Sequence, residues 1–347
     1  MRIIVMAALA AAAISLQSHS AFAADTPKPL FDGSDVISIT LSGPLNGISR
    51  DPNAKPVAGT LKVNGSAPET LPVELETRGI TRRMKQTCSF PPLRVIFTQK
   101  PEKNSIFRKQ KALKLVTHCQ SAERYQQYVL LEYSAYRLFQ AMTQESFNVR
   151  LAKVDYTDES GRAITTRYGF FIEDINDVAR RNGHRRFRGA SRIQSSQLDP
   201  EAAARFAVFQ YMISNLDWAM TAAPAGQDCC HNSRLLSAKD ATTGFITVPY
   251  DFDYSGLVDA PYAVPPDGIR VANVRVRRYR GFCSHNQQAR TFAAGLAARK
   301  ASLLAIVDQT PELSDSSRQK AASYLGEFFD QAGTPAKLDE MLKTCLP

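Results

Sequence analysis

The stretch VPYDFDYSG, Val248 to Gly256, places two carboxylates, Asp251 and Asp253, one residue apart where an apolar run ends. The residues just before it, FIT (245–247), are branched and aromatic and read as a buried strand. A strand that leaves a core and finishes in paired acids suits a hard divalent cation at the mouth of a cleft, because such ions take oxygen ligands. The plainer reading is a solvated turn or a structural calcium site. Which reading holds depends on what the rest of the chain brings to the same place.

Upstream, ISNLDWAM (213–220) reads as a helix end followed by Asp217, and HNSRLL (231–236) carries Asn232. The insertion TAAPAGQDCC (221–230) lies between them and offers Asp228 as a competitor for the role of Asp217. The helix before it has a clear start: Asp199 caps and Pro200 occupies the first helical position. Further helices are predicted over 287–308, 313–331 and 335–345.

The first half of the chain is strand-rich. VISITLSG (36–43), GTLKV (59–63), PVELETRG (72–79), LRVIF (93–97) and LKLVT (113–117) are branched or alternating and bounded by turn residues. The polar stretch 98–112 reads as a solvated loop. On the two-residue period, Lys114 faces away from Leu113 and Leu115. One long helix is predicted over 121–144, with Ser121 as its N-cap. Tyr128, Leu131, Ala135, Leu138 and Met142 form its buried stripe, and Glu132 stands at the stripe's edge, either as an ordinary boundary carboxylate or as one that reaches toward Lys114. Two strands follow, 149–158 and 164–174, joined by a hairpin-like turn. The arginine-rich segment ARRNGHRRFRG (179–189) then marks a boundary.

Lysine, glutamate, aspartate, asparagine, aspartate is the order in which kinase-like folds present their phosphate-handling groups. The chain resembles the atypical kinase-like superfamily and is most similar to the spore-coat CotH kinase family, with echoes of HipA-type kinases. LETRGITRRMKQ (75–86) resembles the Arg-Gly-x-Ser-Arg…Lys segment of that group, SNLDWAM…HN its catalytic loop, and VPYDFDYSG its Pro-Trp-Asp-x-Asp metal-binding strand end. The resemblance implies an α+β, two-lobed kinase-like fold, with a β-rich N-terminal lobe holding one long helix and a mainly helical C-terminal lobe. It implies ATP and Mg²⁺ or Mn²⁺ as cofactors. Asp251 and Asn232 would bind the metal with Asp253 beside them, Asp217 would receive or orient the acceptor hydroxyl, and Lys114 held by Glu132 would grip the nucleotide phosphates. Lys85, inside the CotH-like segment, is the alternative nucleotide lysine, and Glu173 joins the nucleotide-binding set. No Gly-x-Gly-x-x-Gly loop is present.

The organisation that follows is a signal peptide at 1–23, a β-rich lobe at 24–178 and a helical lobe at 179–347. Arg2, the apolar run IIVMAALAAAAISL and the small-residue site AFA have the pattern of a cleavable leader, which implies a periplasmic or secreted protein. No later window is apolar enough to span a bilayer. Hydrophobic residues make up 44% of the chain, enough for a real core, and a formal net charge of +10 favours anionic partners. Six cysteines in an oxidising compartment suggest disulfides, with Cys88–Cys119 the preferred pair. DCCHN (228–232) with CSH (283–285) is the rival zinc reading. RVANVRVRRYRGF (270–282) predicts a strand with one basic face, suited to an acidic or phosphorylated protein substrate. Nucleic acid is a poor partner for an exported chain with few aromatics among its basic residues.

No G-x-S-x-G elbow and no H-E-x-x-H motif occurs. The reading is a secreted kinase-like protein that transfers phosphate to a protein or small-molecule hydroxyl, with adenylyl transfer as a variant. Its rivals are a catalytically silent kinase-fold module for binding or envelope assembly, and a metal-dependent hydrolase.

Overall fold

The computed structural model describes residues 26–224 and 226–347, so the leader at 1–23 lies outside the described residues. Seven strands close into a barrel: β1 (Ile37–Ser42), β2 (Val57–Val63), β3 (Glu69–Thr77), β4 (Leu93–Phe97), β5 (Ala112–Val116), β6 (Val149–Thr157) and β7 (Ala163–Ile172). The order around it is β1-β2-β3-β4-β5-β7-β6, and every pairing is antiparallel except β6 with β1. The alternation read from sequence is what fills it. Ile39, Leu41, Leu61, Val73, Leu75, Leu93, Val95, Leu113, Leu115 and Phe171 form one buried cluster, while intervening residues such as Lys114 turn outward.

The connection from β4 to β5 is not the solvated loop its polar composition predicts. Phe107 is completely buried, and its ring packs against Phe97 and Phe171. The interior of a barrel of this size is filled by side chains, and Phe107 joins the buried cluster there.

Helix α1 (Arg124–Gln140) starts later than predicted: Glu123 holds the N-cap position without a side-chain cap bond. Ser121 instead offers its carbonyl to Arg167. The helix is buried over almost its whole circumference from Val129 to Phe139, more than the single apolar stripe implies. It belongs to the second core, whose members come from β6 and β7, from α2 (Ile175–Arg181) and from the later helices.

A small sheet joins β8 (Arg185–Arg186), β9 (Ser233–Ser237) and β10 (Ile246–Pro249). Between them runs α3 (Pro200–Met212), capped as predicted, with the Asp199 carboxylate accepting from Ala202 N–H at 2.8 Å. The helix predicted over 287–308 is two, α4 (Asn286–Ala297) and α5 (Lys300–Asp308). At the break Arg299 reaches the Ala141 carbonyl beyond the end of α1. Helices α6 (Asp315–Ala332) and α7 (Pro335–Leu342) complete the chain. The described residues are thus a mixed α+β fold, a seven-stranded barrel with seven α-helices.

All six cysteines pair, and Cys88–Cys119 forms as expected. Cys229 pairs with Cys230, and Cys283 with Cys345. The zinc reading is therefore corrected, because no thiolate remains to bind a metal. No described helix is long and apolar enough to cross a membrane.

Replacing Phe107 tests this packing. A solvated loop residue would cost almost nothing, whereas a place in the buried cluster makes Phe107→Ala cost about 3–5 kcal/mol in urea unfolding.

Candidate functional site

The segment after β10 answers the opening question in packing terms. Phe252 is fully buried, its ring 4.6 Å from that of Tyr136 on α1 and 5.4 Å from that of Phe209 on α3. With that side chain sunk between two helices, Asp251 and Asp253 flank it. The Asp251 N–H donates to the Tyr136 hydroxyl at 3.0 Å. Asp251 adopts a left-handed backbone, φ 66°, as does Asn232, φ 48°. Asp and Asn tolerate this region better than other L residues, and such outliers cluster where a site demands them.

Asp217 and Asn232 meet across the insertion. The Asn232 amide donates to the Asp217 carbonyl at 2.7 Å and to Asp217 Oδ2 at 3.0 Å. His231 Nε2 lies 2.7 Å from Asp217 Oδ1, and this hydrogen bond raises the imidazole pKa above its ordinary value. The insertion closes on itself through Ala219 N–H to the His231 carbonyl and His231 N–H to the Ala222 carbonyl. The longer loop therefore still delivers Asn232 beside Asp217. Asp228 is occupied elsewhere, pairing with Arg186 at 3.2 Å and accepting from Gly189 N–H. Trp218 is a core anchor, packed on Phe206 and bonded through its indole N–H to the Asn215 carbonyl.

Glu132 does not hold Lys114. Its carboxylate is 3.3 Å from Arg82 Nη1, and the same guanidinium lies 3.1 Å from Asp253 and 3.6 Å from Asp251. Arg82 sits just past β3 in the CotH-like segment and is itself buried. The geometry that selected Lys114 as partner followed chain order. The partner comes instead from a loop, whose reach no periodicity encodes. The three carboxylates can present oxygens within 4.8 Å of one another. Burial, opposed by Arg82 and reinforced by Asp253 and Asp251, pushes Glu132 up to about 8. Asp253 is pushed up to about 6, again chiefly by burial, with Arg82 pulling down and Asp251 pushing up. One guanidinium is shared by two buried carboxylates, Glu132 and Asp253, with Asp251 beside them.

Arg82, Asp217, His231, Asn232, Asp251 and Asp253 line one cleft of about 760 Å³ with Lys114, Arg78, Arg234, Tyr250 and Glu173, and Glu132 lies outside its lining. Lys114 has no carboxylate within 4 Å among the described residues, and its ammonium lies 5.4 Å from the centre of the Tyr250 ring. Burial first, then Arg78 and Arg234, pushes it down to about 8. Lys85 is exposed and outside the lining. Glu173 touches the cleft, yet its carboxylate is bound to Arg181 at 3.1 Å and accepts from Asn148 N–H. Sequence reasoning missed Arg82, Arg78, Arg234, His231 and Tyr136. Of these, Arg78 and Arg82 stand in the segment already singled out by resemblance.

The predicted basic strand at 270–282 does not form. Arg275 and Arg277 lie over the Tyr324 ring and pair with Asp259 and Glu327, while Arg280 stacks on Trp218. These cations fasten the segment to α6 and to the loop carrying Asp217.

No family model and no curated protein matches the chain. Among solved structures it is similar to the Helicobacter pylori proinflammatory kinase CtkA, with 11% identity, a TM-score of 0.40, and coverage of 72% of this chain and 92% of that one. At that distance no residue role passes from one chain to the other.

The acidic cluster makes a sign-specific prediction. Glu132 holds its proton more tightly folded than unfolded. The stability this confers is complete below its ordinary value of 4.5 and is lost as pH rises through about 8. Glu132→Gln keeps the shape and cannot ionise. Its unfolding free energy in urea should match the wild type near pH 5 and exceed it increasingly towards pH 9, by an amount on the order of a few kcal/mol. Parallel curves across that range would refute the assignment.

Proposed function

We propose that this is an exported kinase-type protein whose cleft binds ATP with Mg²⁺ or Mn²⁺ and passes a phosphoryl group to a protein or small-molecule hydroxyl. The observation that carries the reading is the meeting of Asp217, Asn232 and Asp251 in one cleft that also holds Lys114. Phosphoryl transfer asks a protein for position and charge balance more than for covalent chemistry, and these groups supply both.

The donor set suits a hard cation. Asn232 spends its amide N–H on Asp217, which leaves its carbonyl oxygen as a neutral ligand. The Asp251 carboxylate is 38% exposed towards the cleft. Those two would hold the ion, with Asp253 drawn back by Arg82. The bound ion would neutralise phosphate oxygens. The chain's own residues do the rest: Asp217, oriented by Asn232 and His231, accepts the proton of an attacking hydroxyl, and Lys114 fixes the donor's phosphates. Three disulfides among the described residues suit an oxidising compartment, in keeping with export.

One observation favours a second reading. Arg82 already supplies positive charge to Asp251 and Asp253, as a catalytically silent kinase-fold module would. The test uses mature, oxidised protein with ATP labelled on the α- or γ-phosphate and each metal in turn. The kinase reading expects γ-label transfer, reduced about 100-fold or more by Asp251→Asn and by Asp217→Asn. It also expects a metal-dependent thermal shift with ATP that Asp251→Asn removes. The silent reading expects no transfer and no such shift.

A further inference from the structure

Two cations at one aromatic ring, and a third that lines the same cleft, lack the counter-charge that such a grouping needs. Arg234 on β9 places its guanidinium 4.5 Å from the centre of the Tyr250 ring, and the Lys114 ammonium is 5.4 Å from the same point. Arg78, one residue past β3, lines the same cleft. Among the described residues none of the three has a carboxylate within ion-pair distance. Arg234 donates only to the carbonyls of Cys230 and Ser233. The Arg78 Nε–H is buried and without a hydrogen-bond partner. The carboxylates nearest in effect, Asp251 and Asp174, act on Lys114 only at longer range, and Asp174 is already the N-cap of α2. The arginines with the most deeply buried side chains are paired: Arg82 with three acids, Arg150 with Asp35, Arg181 with Glu173 and Arg277 with Glu327, while half-buried Arg280 is met by carbonyls and the Trp218 ring.

The geometry points to an oligophosphate clamp: Arg78, Lys114 and Arg234 together bind a di- or triphosphate group directly, without a divalent metal. Guanidinium forks match phosphate oxygens two at a time, and three separated cations favour a chain of phosphates over a single one. The chemistry is shared by a nucleotide's phosphate tail and by inorganic polyphosphate. The inference rests on reading the cleft as a phosphate-handling site, but not on transfer taking place.

The experiment is calorimetric titration of the mature protein with inorganic tripolyphosphate, orthophosphate and ATP, all in EDTA at low salt. Thermal midpoints are measured first, so that folded variants are compared. Tripolyphosphate should bind at least about tenfold more tightly than orthophosphate. Arg78→Gln and Arg234→Gln should each weaken it about tenfold or more, and Arg234→Lys by less. Arg108→Gln, an exposed charge outside the cleft, should change it less than twofold. If Arg234→Gln fails to fold, Arg78→Gln decides. Absence of tripolyphosphate binding, or equal weakening by Arg108→Gln, overturns the clamp. ATP binding more tightly than tripolyphosphate identifies the nucleotide as the source, and equal or weaker binding identifies inorganic polyphosphate; either supports the clamp. Metal-free binding with no transfer from ATP leaves the clamp standing and removes the kinase reading. Transfer without metal-free binding does the reverse.

Discussion

The site is organised by one side chain, the buried guanidinium of Arg82. It comes from the loop after β3 and meets Glu132 from α1 and both aspartates of the strand end after β10. Three parts of the chain, separated by up to 171 positions between residues 82 and 253, are held in register by a single delocalised charge. Burying such a group is expensive in isolation, and attraction repays that cost only where geometry and hydrogen bonding are good. The dependence is therefore mutual. Without the carboxylates the arginine has no reason to enter the interior, and without the arginine the carboxylates repel one another.

Around that charge the apolar packing fixes direction. Phe252 fills the space between α1 and α3 and so compels the residues on either side of it to face elsewhere. Tyr136, on the same helix as Glu132, contributes its ring to that packing and its hydroxyl to the Asp251 N–H. One helix thus supplies both the carboxylate that anchors Arg82 and the contact that sets Asp251 in its left-handed conformation. Such positioning tolerates a long excursion elsewhere. The insertion before Asn232 is absorbed by backbone bonds at its own base.

What was legible in the sequence was periodic or local. The strands of the barrel and the Asp199 cap follow from alternation and capping chemistry. The convergence of Asp217 with Asn232, and the placement of Lys114 and Asp251 in the same cleft, agree with a reading taken from chain order and family resemblance. What escaped was set by tertiary reach. Phe107 lies in a polar stretch, and only the closed barrel gives it somewhere to go. Arg275, Arg277 and Arg280 suggest an exposed basic face, yet aromatic rings and carbonyls from other segments absorb them. Glu132 lay nearer Lys114 along the chain, while a longer side chain from a loop arrived first. In each case the deciding partner is distant in sequence and carries no pattern of its own.

The cleft is left with its charges separated. Asp217, Asp251 and Asp253 line it, as do Arg78, Lys114 and Arg234, the last two beside the Tyr250 ring. Asp251 and Asp253 pair with Arg82, whereas Arg78, Lys114 and Arg234 have no described carboxylate within ion-pair distance. The Tyr250 ring lies beside two of these cations, and Asp251 is held through its own backbone N–H by Tyr136. A simple anion would satisfy only the basic groups, and a simple cation only the acidic ones. A metal-bound oligophosphate carries both charges at the spacing of a bond or two and satisfies the two sets together. The proposal of such a ligand rests on the separation of unlike charges more than on any single residue.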